Sequence, residues 1–423
     1  MKNKILIAVI TCIVSFSSVF SQGTFKTMFY NLLNFPIQSV PVNRIQNLEI
    51  VLNDYQPDLF MVCELNNETG ANSILNMMQQ GVNPNYAMAN FELNTSDDDS
   101  GDQNDLQNLI FYDTTKIILD NQTIVPSRFR DFNHYRLKLN TIDQNTNPIY
   151  LNVIVCHLKS SSGSTNEAYR LEMAQDLTAY LETLPSNSYV MLGGDLNLYT
   201  NSEDAFIELL DTTNNITFID PANRIGSWHN NTSYLDVFTQ STRTTNGLGG
   251  ATGGFDDRFD FILTSESMQN NSELQFVTNS YNAYGNNNNI NCYNQEINSE
   301  NCAGVEYSLT IRNALYNFSD HLPVTLQIET DQVFLSIPEY TTLDSFEIIG
   351  TNSIQNTLNL RINNQSITSK NLNIYNSLGQ LVKIVFLEQT ETISVNISNL
   401  SSGIYYITVP SMNVEPLKFV KVN

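Results

Sequence analysis

The pattern that most restricts how this chain can fold is a recurrence of apolar, strand-like runs that close or open on a polar side chain able to do chemistry. Ser188–Thr200 reads S-Y-V-M-L-G-G-D-L-N-L-Y-T. Its apolar run, Tyr189–Leu192, is stopped by Gly193-Gly194, and Asp195 and Asn197 follow. A spacing of two puts that carboxylate and carboxamide on the same side of an extended backbone. Taken alone, the stretch fits a Gly-Asp turn closing a hairpin equally well. Phe25–Asn31 alternates and ends in Asn31, Asp58–Glu64 (D-L-F-M-V-C-E) ends in Glu64, and Ile149–Leu158 ends in His157. Arg258–Leu263 (R-F-D-F-I-L) alternates so that Arg258 and Asp260 share a face. Ser319–Ile328 (S-D-H-L-P-V-T-L-Q-I) brings Asp320 and His321 into a last strand.

Helical spacing separates these runs. Ile45, Leu48, Val51 and Leu52 recur along Val42–Tyr55, and Ala168, Leu171, Ala174, Leu177 and Leu181 along Glu167–Leu184. Strand–helix–strand order predicts a layered α/β domain, in which strand ends converge at one edge of the sheets. A lone His157 is more often a satisfied core histidine. Several polar ends on otherwise apolar strands are hard to explain without a site. Carboxylates and carboxamides without cysteine favour a hard cation, Mg²⁺ or Mn²⁺, and leave Ca²⁺ open as a structural or supporting ion.

Charge narrows the partners. The formal net charge is −23 with only 20 Lys+Arg, and such a surface repels nucleic acid at long range. This argues against tight sequence-specific binding and less against an enzyme that needs a brief encounter. Arg128, Arg130 and Arg136 cluster and fit a phosphate clamp, although salt bridges on a solvated face are the commoner use of any one arginine. The D-D-D-S-G-D stretch within 91–105 is an acidic loop, and Gly247–Gly254 a flexible one.

Met1–Ser21 has the build of a cleaved secretory signal: Lys2 and Lys4, an apolar Ile5–Val14, and Val19-Phe20-Ser21. No other segment is apolar for the roughly 18 residues that a bilayer span requires. In an exported chain, Cys292 and Cys302 most simply form a local disulfide across an Asn-rich loop, while Cys63 and Cys156 sit in apolar strands as small hydrophobes. Past Thr330 helical patterns vanish and short β runs separated by turns appear, a separate all-β module consistent with a minimal sandwich.

The ordered blocks N-L-L-N, V-C-E-L, C-H-L-K, G-G-D-L-N, R-F-D-F-I-L and S-D-H-L-P-V, over roughly Phe25 to Ile328, resemble the endonuclease/exonuclease/phosphatase superfamily, with its deoxyribonuclease-I-like fold. That resemblance implies a four-layer α/β sandwich and metal-dependent cleavage of phosphate esters: DNA, RNA, phosphoinositides, sphingomyelin or nucleotide conjugates. It assigns the cation to Glu64 with Asn31 and Asp320. Asp260 would orient His321, Asp195 and Asn197 would position the attacking water, and His157 would donate to the phosphate. Arg130, Arg136 and Arg258 are the expected phosphate or substrate contacts.

N-I-Y-N-S-L-G-Q-L-V (373–382), N-L-S-S-G-I-Y-Y-I-T-V (399–409) and the terminal K-F-V-K-V resemble the type A sorting domain of type IX secretion. A carbohydrate- or surface-binding module is the other reading of this region. The expected layout is a signal at 1–21, a catalytic domain at 22–330, a linker at 331–343 and a β-sandwich-like sorting domain at 344–423. The expected product is a monomer, exported through the periplasm to the surface or medium by the type IX machinery. It would act on nucleic acid or another phosphodiester without stable membrane insertion.

Overall fold

The computed structural model describes residues 23–96, 106–335, 346–362, 371–386, 392–408 and 416–422; the signal segment 1–21 and the D-D-D-S-G-D stretch lie outside them. The chain divides into two compact units, residues 1–335 and 336–423.

In the first unit the order is β1 (Gly23–Phe35), α1 (Arg44–Tyr55), β2 (Leu59–Leu65), α2 (Glu68–Gly81), β3 (Tyr86–Met88), β4 (Gln107–Asp113), β5 (Ile117–Val125), β6 (Phe132–Leu139) and β7 (Tyr150–His157). It continues with α3 (Ser164–Leu181), β8 (Tyr189–Asp195), α4 (Asp204–Leu209), β9 (Phe218–Ile219), β10 (Asp260–Ser265), β11 (Leu274–Phe276), β12 (Asn282–Ala283), α5 (Leu309–Phe318) and β13 (Val324–Thr330). One sheet runs β11-β13-β1-β2-β4-β3, with β12 on β13, and the other β5-β6-β7-β8-β10-β9. Each holds one parallel pair bridged by a helix, β1–β2 through α1 and β7–β8 through α3.

The sheets meet face to face, β1 against β8 and β10, and β2 and β4 against β7. Their helices must therefore cover the outer faces, which gives the four-layer α/β sandwich. One continuous core fills it, with Phe29, Met61, Val62, Leu109, Val153, Ile154, Leu192 and Ile262 fully buried. Gly193-Gly194 does not stop its strand as expected, since β8 runs through both glycines to Asp195. The reason is steric: a Cβ on Gly193 would lie 2.7 Å from Met61 Sδ in the opposite sheet, and one on Gly194 would overlap Cys156 Sγ.

The first unit also reaches further than Thr330. Ile142 N donates to Val333 O and Leu335 N to Asn140 O, so 331–335 pair with 140–142 rather than starting a linker. The second unit is all-β. A three-stranded sheet, β14 (Phe346–Ile348), β16 (Thr357–Ile362) and β19 (Thr392–Asn396), accompanies a five-stranded one. The latter holds β15 (Ser353–Ile354), β21 (Leu417–Lys421), β20 (Gly403–Thr408), β17 (Asn371–Asn376) and β18 (Leu381–Phe386). Their shared core of Leu358, Leu360, Leu372, Ile374, Ile407 and Phe419 fits a small sandwich.

Candidate active site

Strand register assembles the site. β7 and β8 are parallel with His157 opposite Asp195, and β10 is antiparallel to β8 with Asp260 opposite Asp195. Residues in one cross-strand row project to the same face, so His157, Asp195 and Asp260 form a line of polar side chains across the second sheet. The first sheet supplies the facing row. Asn31 lies opposite Cys63 on the β1–β2 pair, Glu64 follows it, and Asp320-His321 lead into β13 beside β1. Ser319 ties this row together: its Oγ donates to Asn31 O at 2.8 Å and accepts from His321 N at 3.1 Å.

Glu64 is aimed by a bulge. Its φ is +56°, in the left-handed region that a residue with a Cβ seldom occupies, and the β1–β2 and β2–β4 registers both shift there. Asn34 N holds its Oε2 at 3.0 Å.

Asp195 Oδ2 is the hub. Asn31 Nδ2 donates to it at 3.0 Å and to Glu64 Oε1 at 2.9 Å. His157 Nε2 lies 3.6 Å from Asp195 Oδ2, and His321 Nε2 3.7 Å from the same oxygen. His321 Nδ1 is bound to Asp260 Oδ2 at 2.7 Å, the expected carboxylate–imidazole pair. Asn197 N donates to Asp195 Oδ1 at 3.1 Å while its Nδ2 holds Leu158 O at 3.2 Å.

The electrostatics separate the groups. Burial, reinforced by Asp260 and Glu64, raises the Asp195 pKa to about 7 against the pull of His321. Burial and then Asp320 raise Glu64. Burial holds His157 well below the ordinary histidine value, so its approaches to Asp195 and Glu64 are contacts of a neutral ring and not ion pairs. Burial opposes protonation of His321 too, but Asp260, Asp320 and Asp195 outweigh it and raise its pKa well above the ordinary value.

The donor set fits a hard divalent cation. Ligand atoms of Glu64, His157 and Asp195 lie close enough to share one ion, as do those of Asp195, Asp260 and His321. Asp320 Oδ1 and Asp260 Oδ1 are buried without a hydrogen-bond partner. Carboxylates crowded in this way are destabilised by mutual repulsion, and a cation relieves it. Asn31 departs from its expected role as a ligand. Its Oδ1 accepts from Leu33 N at 2.9 Å, so its amide N–H groups, and not its oxygen, face the two carboxylates.

The three arginines divide. Arg130 is buried behind the β7 end, where Nη1 holds Leu158 O at 2.9 Å and His157 O at 3.4 Å. Arg136 is not brought to the site. It lies in mid-β6, exposed, bound to Asp120 at 2.8 Å and stacked 3.7 Å over Tyr150, because alternation turns it outward. Arg258 is likewise withdrawn, fully buried in a bidentate pair with Asp220 at 2.8 Å per contact. A cavity of about 690 Å³ lined by Phe218, Asp220, Phe276 and Tyr281 lies along that edge, and none of the strand-end groups lines it. Cys292 and Cys302 are joined as a disulfide, and Cys63 and Cys156 are free and buried.

Two contributors carried no signal in the sequence. Gln240 Nε2 lies 2.6 Å from His321 Nε2 and 3.2 Å from Asp320 Oδ2, and Ala251 N donates to Asp320 Oδ2 at 2.7 Å. Both come from the loop region 223–257, where no periodicity marks a residue. The one hint was the glycine run: Gly250 has φ +69°, and a Cβ there would overlap the Asp320 carboxylate.

Residues 352–422 match the family model described as "Secretion system C-terminal sorting domain". The match assigns the second unit to sorting for secretion by the type IX machinery, to the cell surface or outside. Among the described residues no helix is long and apolar enough to cross a membrane. No curated protein matches the chain in sequence. Similar solved structures include an endonuclease/exonuclease/phosphatase from Bacteroides vulgatus, at 14% identity and TM-score 0.46, covering 73% of this chain and 99% of that one. The human Nocturnin catalytic domain with bound sulfate is 12% identical at TM-score 0.45, covering 73% and 97%. D. rerio TDP2 complexed with single-strand DNA product is 13% identical at TM-score 0.45, covering 73% and 99%. Likeness at this level says nothing of substrate or reaction.

Proposed function

We propose that the first unit is a divalent-metal-dependent phosphodiesterase and, once exported, an extracellular nuclease acting on DNA or RNA. The observation that carries this reading is Asp195 Oδ2, held by Asn31 and flanked by His157 and His321 beside the carboxylates of Glu64 and Asp260. Glu64, with Asp320 Oδ1, would hold Mg²⁺ or Mn²⁺, which when bound supplies a Lewis acid that neutralises charge on the phosphate.

The chain's own groups supply the rest. Asp195 takes the proton of the attacking water at Oδ2, the oxygen that Asn31, His157 and His321 surround. The new P–O bond forms as the bond to the leaving oxygen breaks, and that oxygen departs with its electron pair and takes a proton from solvent. Asp260 fixes the His321 ring through Nδ1, and His157, 3.6 Å from Asp195 Oδ2, faces the extra negative charge of the transition state. Asn31 donates to the Glu64 and Asp195 carboxylates alike and so fixes their spacing, and Arg130 and Asn197 pin the Leu158 carbonyl and so the β7 end.

Nucleic acid is favoured over lipid by the loops around the site. In loops 223–257 and 283–304, Trp228, Phe238, Phe255 and Tyr284 are buried and Tyr234 and Tyr293 half-buried, so no aromatic side chain of these loops is fully displayed for insertion into a bilayer. A panel of DNA, RNA, sphingomyelin and bis-(nitrophenyl) phosphate with Mg²⁺, Mn²⁺ or Ca²⁺ tests the reading. Hydrolysis of DNA or RNA is expected. Turnover of sphingomyelin or bis-(nitrophenyl) phosphate with DNA and RNA left intact would overturn the nuclease assignment.

A further inference from the structure

The nucleophilic and metal-holding roles leave Gln240 without a function, yet its position is over-determined. Its segment is bridged on one side to 254–257 and on the other to the entry to β13. Thr239 N and Gln240 N donate to Asp257 O at 2.8 and 3.1 Å, and Asp257 N returns a bond to Gln240 O at 2.9 Å. On the other side Leu322 N donates to Thr239 O at 2.7 Å and Thr242 N to Asp320 O at 2.9 Å. With the backbone fixed at both edges, the side chain reaches His321 Nε2 and Asp320 Oδ2 together, at 2.6 and 3.2 Å.

The consequence for the pair is specific. Asp320 Oδ2 is occupied by Gln240 Nε2 and Ala251 N, which leaves Oδ1 as its bare, buried oxygen. With its proton on Nδ1 the His321 ring is held at both nitrogens, Nδ1–H donating to Asp260 and Nε2 accepting from the Gln240 amide. The disulfide loop braces the segment from outside. Ile297 N donates to Thr242 O at 3.0 Å, Asn294 N to Phe255 O at 3.1 Å, and Thr244 Oγ1 to Glu296 Oε1 at 2.9 Å, and Glu296 and Ile297 lie inside the Cys292–Cys302 closure.

We propose that Gln240 is a positioning residue: one amide sets the spacing and orientation of the His321 imidazole and the Asp320 carboxylate. The inference rests on the phosphodiesterase reading. Loss of one anchor allows a displacement of the ring, and misplacement by about 1 Å costs on the order of 100-fold in rate.

The test uses full-length protein and bis-(nitrophenyl) phosphate. Gln240→Ala and the near-isosteric Gln240→Met should each lower kcat by roughly 10- to 100-fold, with KM and Tm close to wild type. Because the amide acts through His321, Gln240→Ala added to His321→Ala should lose no more than His321→Ala alone. A merely structural glutamine would instead lower Tm and give losses that multiply. Unchanged kcat in both single variants, or multiplicative losses, would overturn the proposal.

A second readout does not need turnover. The chain has four histidines, so ¹⁵N-histidine labelling should show the His321 Nε2 resonance moving in Gln240→Ala. No movement would overturn the contact itself. Wild-type protein inactive on every phosphodiester would overturn the phosphodiesterase reading, while a shifted resonance in the same protein would still support the contact.

Discussion

Replacing Asp220 by asparagine separates a structural arginine from a substrate-binding one. Both side chains of the Arg258–Asp220 pair have no exposed area, and the guanidinium also lies 4.1 Å over the Phe261 ring. No solvent screening discounts the interaction. Removing one partner of a buried pair leaves an uncompensated charge, at a cost of about 3–5 kcal/mol. Asparagine keeps the volume and one acceptor, so the lower end applies, about 3 kcal/mol. For a domain larger than 200 residues that corresponds to a fall in Tm of roughly 6 °C.

The pH dependence has a definite sign. Burial raises the Asp220 pKa, but Arg258 and the Ala222 and Arg224 backbone N–H groups outweigh it and leave it below the ordinary value. A depressed carboxylate contributes stability that is full above its unfolded pKa, about 3.9, and lost as pH falls through the folded value. The Asp220→Asn deficit should therefore be full at neutral pH and shrink only below about pH 4. Differential scanning calorimetry across pH measures it, and replacing both partners by apolar groups, Asp220→Leu together with Arg258→Met, should recover most of the loss. At temperatures where the Asp220→Asn variant is folded, kcat and KM should match wild type. A raised KM with unchanged Tm would show that Arg258 meets substrate and that this reasoning is wrong.

Glu64→Gln should abolish turnover and weaken Mg²⁺ or Mn²⁺ binding together, because the carboxylate charge holds a hard cation; unchanged affinity in a calorimetric titration would move the principal ligand elsewhere. His321→Ala and Asp260→Ala should each lose about 100-fold or more in kcat, and the double variant little further, since Asp260 acts through the ring; losses that multiply would dissolve the pair. A chain ended after Leu335, keeping the 331–335 pairing with 140–142, should fold and keep its kinetics on a soluble phosphodiester while remaining in the periplasm. Secretion of that truncated form as efficiently as the whole chain would refute the sorting role, shown by fractionation of the host.

The alternation of strands and helices, the change of texture after Thr330 and most of the polar strand ends were legible from residue order alone. These features are local: apolar runs, helical spacing and turn residues are set by neighbours in the chain. Asn31, Glu64, His157, Asp195, Asp260, Asp320 and His321 stood out because each interrupts a pattern that burial would otherwise keep apolar. Contacts between distant segments settled what local order could not. Arg136 is turned to solvent, since side-chain direction depends on the register of β6, and Arg258 is spent on Asp220, 38 residues away. The Asn31 amide nitrogen faces two carboxylates, and Gln240 sits on His321 across 81 residues of sequence. A hydrogen bond between distant segments leaves no periodicity behind, and an amide in a loop looks like any other until the backbone on both sides fixes where it points.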